Sequence, residues 1–208
     1  LFMFDKYRDY IKQFGLSVFI KRFFQKSISI IYESKSHLIV YIPEHATNNV
    51  IPTPHVKIMD NLKINEWYDK KEISKDQFKR FNYFIDSDSI GFYLEVESSL
   101  AGWGFVQKSG SYKYASSKEE YFIPQNVQLL KNLYIKSKFR GMSLGKQINQ
   151  ARINFIPKTS YPLGFVMSEN KYAMRNLKIF GFIECAIVNN MTIFNSYKRQ
   201  QIKLIIKN

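Results

Sequence analysis

Seven consecutive residues, Arg140-Gly-Met-Ser-Leu-Gly-Lys146, combine two glycines with two cationic side chains. They lie between an apolar segment, 127–135, that is typical of a strand and an amphipathic segment, 144–155, that is typical of a helix ended by Pro157. Glycines at such a junction let the backbone turn tightly and aim its N–H groups at a ligand, and the helix N-terminus adds the positive end of its dipole. The segment therefore predicts a pyrophosphate cradle, and an ordinary strand–helix turn is the alternative.

The spacing of these glycines differs from that of two common phosphate-binding loops. A P-loop requires Gly-x-x-x-x-Gly-Lys-Ser/Thr, and a dinucleotide-binding turn requires Gly-x-Gly-x-x-Gly. The segment 140–146 has neither pattern. We therefore expect a phosphate site of another kind.

A second group of candidate residues lies one predicted strand further along the chain. Asn170 follows that strand and precedes a predicted helix, which contains Ala173 and ends at Gly181-Phe182. Together the two motifs resemble those of the GNAT superfamily of acetyltransferases. Its members carry Gln/Arg-x-x-Gly-x-Gly/Ala after their fourth strand, with which 140–145 aligns. They also carry Asn-x-x-Ala/Ser after the fifth strand, and end the next helix in Gly-Phe.

The elements that must position these residues follow from hydrophobic periodicity and turn residues. The predicted helices are 1–30, 60–84, 144–155 and 170–180, and a polar loop is predicted over 109–120. The predicted strands are 36–42, 90–97, 101–107, 127–135, 163–167, 182–188, 191–194 and 201–206.

The resemblance covers about residues 89–194 and implies an α+β chain with the GNAT fold. The implied central sheet is mixed, mostly antiparallel and splayed between its fourth and fifth strands, with helices on both faces and an N-terminal helical extension. We expect one domain over 1–208. Its predicted parts are a helical extension (1–35), a variable acceptor-side region (36–88), a cofactor-binding core (89–194) and a C-terminal strand (195–208).

The resemblance also implies a reaction, in which an amine attacks the thioester of acetyl-CoA, or of another acyl-CoA, directly. The acceptor would be a small-molecule or peptidyl amine. In the family, the pantetheine pairs with the fourth strand like an added strand, and a backbone N–H there polarises the thioester carbonyl. The cofactor-binding residues implied are Leu133, Tyr134, Ile135, Arg140, Gly141, Met142, Ser143, Leu144, Gly145, Lys146, Asn170 and Ala173.

Two residues depart from the family pattern. Ser143 occupies a position that is usually glycine, and the backbone amides there can still bind a ligand if φ of Ser143 is negative. Leu177 occupies the position where many members carry a tyrosine that protonates the departing thiolate, and leucine cannot donate a proton. The alternative function is therefore a catalytically weak or inactive acyl-CoA-binding module.

Three residues are candidates for proton transfer: Glu97, Tyr134 and Tyr172. Glu97 is expected to share one face of a strand with Glu95, and the alternative is that both simply face solvent. Tyr134 on the fourth strand could face the acceptor. Tyr172, close to Asn170, could replace the missing tyrosine, as could Ser168.

The net charge leaves further alternatives open. Lys and Arg number 31 against 17 Asp and Glu, a formal charge of +14. Nucleic-acid binding is the less favoured reading, because base-reading proteins rely on arginine and 24 of the 31 cations are lysines. Residues 1–30 form a basic amphipathic segment that could contact a membrane surface, although a helix packed on the domain is the favoured reading.

The remaining expectations are negative or general. One cysteine and three scattered histidines predict no metal site. No apolar run reaches the roughly 18 residues that a membrane span needs, so we expect a cytoplasmic protein. We allow for a homodimer.

Overall fold

A computed structural model describes residues 32–42, 53, 55–113, 120–193 and 197–205. The helices and strands within these ranges are, in chain order, β1 (Tyr32–Tyr41), β2 (Lys57–Ile58), α1 (Asn61–Asp69), α2 (Lys75–Asp86), β3 (Ser89–Val96), β4 (Ser99–Gln107), β5 (Gly110–Lys113), β6 (Glu120–Ile123), β7 (Val127–Ile135), a short 3-10 turn (Ser137–Phe139), α3 (Leu144–Phe155), β8 (Tyr161–Met167), α4 (Lys171–Lys178), β9 (Ile183–Ile193) and β10 (Tyr197–Leu204).

The described chain divides into two compact units, and β1 and β9 contribute to both. In the larger unit, 37–187 with 204–205, the sheet order is β9-β1-β8-β7-β4-β3-β2. Strands β7 and β8 are parallel, whereas the pairs β1–β8, β4–β7, β3–β4 and β2–β3 are antiparallel. In the smaller unit, the end of β9 lies between β10 and the start of β1. The predicted mixed, mostly antiparallel sheet is confirmed.

The predicted splay in the sheet lies between β7 and β8. These strands pair from Val127 opposite Tyr161 to Leu130 opposite Gly164, and the pairing then ends. Both strands continue beyond that point, β7 to Ile135 and β8 to Met167. Among the residues that the structure describes, the edge of β7 that faces β8 therefore has no strand partner after Leu130.

Helices cover both faces of this sheet, as predicted. On one face, α1 and α2 bury aromatic side chains such as Trp67 and Phe81 against Trp103 and Phe105 of β4. On the other face, α3 and α4 bury a second cluster that includes Leu144, Ile148, Met174 and Leu177. The sheet that contains the splay thus lies between two separately packed layers.

The single helix predicted over 60–84 is wrong, because the structure contains two helices there. Asp60 caps α1 by accepting a hydrogen bond from the Lys63 N–H at 2.7 Å. Ser74 and Gln77 form a reciprocal capping box that starts α2. The pattern Ser-x-x-Gln is a helix-start signal, so the sequence itself indicates that a second helix begins after Ser74.

Other predicted bounds also need correction. The polar loop predicted over 109–120 contains β5 and the first residue of β6, which pair as a two-stranded hairpin. Residues 32–35 belong to β1 rather than to a helical extension, and the single strand β9, Ile183–Ile193, takes the place of two separate strands predicted at 182–188 and 191–194. The predicted helix 1–30 lies outside the described residues. Within the described ranges, no helix combines the length and apolar composition needed to cross a bilayer.

Candidate functional site

The loop between β7 and α3 presents five backbone N–H groups in succession. None of the N–H groups of residues 141–145 donates a hydrogen bond to any described residue. The flanking N–H groups are satisfied, since Arg140 N–H donates to Ser137 O and Lys146 N–H to Ser143 O. The loop is exposed at 141–143, and its last N–H groups lie in the first turn of α3, where the dipole favours an anion.

Ser143 adopts a backbone conformation that differs from the expectation. Its φ is +57° and its ψ is 14°, in the left-handed region. The negative φ that we stated as the condition for amide binding is therefore not observed. Gly141 also has a positive φ, +88°. A left-handed conformation costs a non-glycine residue about 1–2 kcal/mol. Ser143 thus takes the conformation that a glycine at this position adopts easily, and in this conformation its N–H and those of its neighbours still have no hydrogen-bond partner among the described residues.

Two cations flank these amides. The Arg140 Nε–H donates to the Ile135 carbonyl at 3.3 Å, which ties the loop to the end of β7, and its guanidinium lies 6.0 Å from the Tyr134 ring centre. Lys146 is exposed in the first turn of α3. Both side chains add positive charge where the backbone already offers donors.

The end of β7 is reshaped by a bulge. Phe105 of β4 pairs with Lys131 and Trp103 pairs with Tyr134, so two β7 residues, 132 and 133, lie opposite one β4 residue. Asn132 has a φ of +52°. The bulge begins two residues after the last β7–β8 pair, at Leu130, and so lies where the strands have separated.

The predicted β7 residues face opposite sides of the sheet. Leu133 and Ile135 pack on the core beneath α3 and α4. Tyr134 lies on the α1–α2 side, stacked on Trp103 with ring centres 4.8 Å apart, and is 42% exposed. Gly102 permits this packing, because a Cβ there would lie 2.4 Å from Ile135 Cδ1 and 2.8 Å from Tyr134 O.

The second motif meets the first through α4. The Asn170 side chain caps α4 by accepting from the Ala173 N–H at 3.0 Å. Ala173 packs on the core beside α3. Gly145 lets the helices approach, because a Cβ there would be 3.2 Å from Asn176 Nδ2 and 3.6 Å from Ile135 Cγ1. The structure thus places the start of α3 beside the end of β7 and beside α4.

The three candidates for proton transfer lie on separate elements. Glu97 is exposed in the two-residue turn between β3 and β4, where it and Ser98 have φ of +51° and +61°. It therefore does not share a strand face with Glu95. Tyr172 is 84% exposed in the first turn of α4. No hydrogen bond or ring contact joins Glu97, Tyr134 and Tyr172 within the described chain.

Glu95 is held in an ion-pair network instead. Its carboxylate accepts from Lys63 Nζ at 2.8 Å and from Trp67 Nε1 at 3.3 Å, and Lys57 Nζ lies at 3.5 Å. Burial raises the pKa of Glu95, but the hydrogen bonds and positive charges outweigh that effect and keep the pKa below its ordinary value. A carboxylate in this state is a weak general base.

Sequence reasoning missed two buried cations beside the bulge. Lys131 donates to Gln107 Oε1 at 2.8 Å and lies 4.0 Å from the Phe84 ring centre, and burial lowers its pKa to about 8. Arg152 of α3 is 2% exposed and lies on the opposite face of the sheet from Lys131. The sequence does contain a signal for the burial of Arg152. Arg152 follows Ile148 by four residues and therefore lies on the same apolar face of α3.

Two further features bear on the chemistry. Leu177 is a core residue at 6% exposure and packs near Gly164, so its position offers no proton donor. An open groove of about 630 Å³ runs along α4, lined by Leu38, Ser168, Lys171, Met174, Arg175, Lys178, Ile179 and Glu184. Among the described residues, no cluster of His, Cys, Asp or Glu could hold a metal ion.

Comparison with known proteins identifies the architecture. No protein-family model matches the chain, and no curated protein matches it by sequence. A structure from Novosphingobium aromaticivorans, assigned to the GNAT family of acetyltransferases, aligns with 77% of this chain at 12% identity and a TM-score of 0.55. A conserved protein of unknown function from Staphylococcus epidermidis aligns with 81% at 8% identity and a TM-score of 0.50. The chain spans 64% of the length of each. This chain has the GNAT fold.

Proposed function

We propose that this chain is an acyl-CoA-dependent N-acyltransferase, and that it transfers acetyl from acetyl-CoA to an amine. One observation carries the proposal. Within the described part of the chain, the five successive N–H groups of 141–145 have no hydrogen-bond partner, and they lie beside a strand edge that is unpaired after Leu130. An extended ligand that ends in a pyrophosphate needs this combination of a strand edge and an anion cradle.

The residues present fit such a cofactor. The amides of 141–145, with Arg140 and Lys146, would hold the pyrophosphate. The edge of β7 from Leu133 to Ile135 would pair with the pantetheine. Acetyl-CoA, when bound, supplies an activated thioester carbonyl. The protein would then contribute orientation, through a strand edge and loop fixed by Arg140, and polarising N–H donors at the bulge.

The proposed reaction also needs a group that accepts a proton. The attacking amine must lose a proton, and Glu95 is a weak base because Lys63 and Trp67 already bond to it. Of the three candidates, Tyr134 is favoured, because it lies on β7 beside the strand edge and is part-exposed. Glu97 and Tyr172 remain candidates only if substrate reaches the hairpin turn or the start of α4.

The buried Leu177 favours one alternative, an acyl-CoA-binding module that does not turn over. Both functions predict binding of acetyl-CoA, but only the enzyme releases free CoA when an amine is supplied. A thiol-release assay over a broad panel of small and peptidyl amines separates them. Turnover with any amine excludes the inactive module.

Binding itself is tested by thermal shift with acetyl-CoA, CoA and ATP. A ligand that binds only the folded state raises its stability, by about 2.7 kcal/mol at a hundred times Kd. We expect acetyl-CoA and CoA to raise Tm and ATP to do so less. Lys146→Glu should abolish most of the effect, whereas Lys158→Glu, the same charge change at an exposed residue beyond α3, should not. No shift with millimolar acetyl-CoA would refute the cofactor assignment.

A further inference from the structure

The buried guanidinium of Arg152 lies against the bulge in β7. Its Nη1 donates to Lys131 O at 3.1 Å and to Phe105 O at 3.2 Å. Lys131 and Phe105 are cross-strand partners in the pair that immediately precedes the bulge. The Arg152 side chain thus hydrogen-bonds to both β4 and β7 at the point where β7 departs from regular pairing.

Gly104 makes room for this contact. It is the β4 residue opposite the bulge, and a Cβ on it would lie 2.9 Å from Arg152 Nη1 and 3.1 Å from Cζ. Any larger residue at 104 would push the guanidinium away from the two carbonyls. The two hydrogen bonds of Arg152 Nη1 to the strand carbonyls therefore depend on the glycine at position 104.

The hydrogen-bond partners of Arg152 within the described chain are all neutral. Besides the two carbonyls, Nη2 donates to Asn149 Oδ1, and Nε is buried without a partner. A buried charge without a counter-ion destabilises a fold by several kcal/mol unless other groups offset it. Burial lowers the pKa of Arg152 to about 9, which still leaves it charged at neutral pH. Stability alone does not account for an arginine here.

The same network reaches the second motif. Asn149 Nδ2 donates to Asn176 Oδ1 at 3.2 Å, and Asn176 is the residue whose Nδ2 faces Gly145. The bulge, the start of α3 and α4 are thereby joined through Arg152. A hydrogen bond to a peptide carbonyl also polarises that peptide group and strengthens its N–H as a donor.

We propose that Arg152 is a positioning residue for acyl transfer: it holds the β7 bulge and places a positive charge behind the segment whose N–H groups polarise the thioester carbonyl. The inference rests on the proposed function, because it assumes that an acyl-CoA binds along β7. Arg152 acts through the β7 backbone and hydrogen-bonds to none of the residues 140–146 that would hold the pyrophosphate. Replacing Arg152 should therefore change the polarisation of the bound thioester carbonyl more than the affinity for CoA.

The test uses acetyl-CoA labelled with ¹³C at the thioester carbonyl. Infrared difference spectra of the full chain with bound acetyl-CoA measure the stretching frequency of the labelled C=O group. Calorimetry separately measures the affinity for CoA, which lacks that carbonyl. In the wild type, we expect the stretch to move to lower frequency on binding. In Arg152→Met, it should return toward the value of free acetyl-CoA while CoA affinity changes little. Arg175→Met, an exposed arginine of α4, is the matched control and should behave as wild type.

Further variants keep the proposal testable if Arg152→Met does not fold. Arg152→Lys retains the charge but not the two-carbonyl grip, and should lose part of the frequency change. Gly104→Ala should lose it as well, and should add nothing in the Arg152→Met background, because both act through one contact. Unchanged frequencies in the folded Arg152 variants would overturn this inference alone. Failure of the wild type to bind acetyl-CoA would overturn the proposed function and this inference with it.

Discussion

Lys131 makes the stability of this protein depend on pH in a direction that can be worked out. Its side chain is buried, its described hydrogen-bond partner is the neutral Gln107, and burial lowers its pKa from 10.5 to about 8. The folded state therefore disfavours the proton that the unfolded chain keeps. Below about pH 8, burying the charged Lys131 lowers the free energy of unfolding by its full amount. This loss of stability disappears gradually as the pH rises from about 8 toward 10.5.

The size of this effect follows from the same values. A difference of about 2.5 pH units, at 1.36 kcal/mol per unit, amounts to about 3 kcal/mol. About 2 kcal/mol of it should appear between about pH 8 and 9.5. Lys131→Met removes the titrating group and keeps most of the side-chain volume. The free energy of unfolding of the wild type, minus that of Lys131→Met, should therefore rise by about 2 kcal/mol over that interval.

Urea denaturation at a series of pH values measures this difference. The subtraction cancels other groups that titrate in the same range. Lys79→Met, the same change at an exposed position of α2, is the control and should give a difference that stays flat with pH. If the Lys131→Met difference were equally flat, the burial of the Lys131 charge would be refuted.

Three further predictions concern single contacts. Gly102→Ala should lower the free energy of unfolding by about 1–3 kcal/mol in urea denaturation, because its Cβ would meet Ile135 Cδ1 at 2.4 Å; an unchanged midpoint would mean that β7 shifts freely. Asn170→Ala should cost about 1 kcal/mol in the same assay through loss of the cap on Ala173 N–H, and Asn170→Ser should restore most of it. Lys146→Ala should weaken CoA binding by about tenfold in calorimetry, as expected for a charged hydrogen bond, and unaltered affinity would place the pyrophosphate elsewhere.

The parts of the fold that the sequence specifies locally were predictable. The bounds of β7 and α3 match the predicted 127–135 and 144–155, because strong periodicity is bracketed there by glycines and by Pro157. The capping box at Ser74 is equally local, and weighing it would have divided the predicted helix 60–84 correctly.

Features set by partner strands were not predictable from one chain segment. The bulge at Asn132 depends on the register between β4 and β7, which no local pattern records. The burial of Arg152 depends on Gly104, 48 residues earlier, leaving space for it. The motif residues of the loop were identified from the sequence, but the left-handed conformation of Ser143 was not, because serine rarely adopts it.

The central claim is that the amides of 141–145 and the free edge of β7 form one acyl-CoA site. The most direct measurement is a titration of ¹⁵N-labelled protein with CoA, followed by amide NMR. We expect the largest chemical-shift changes at the five amides 141–145 and at Leu133 to Ile135. Changes confined to other surfaces, such as the groove along α4, or no change at millimolar CoA, would contradict it.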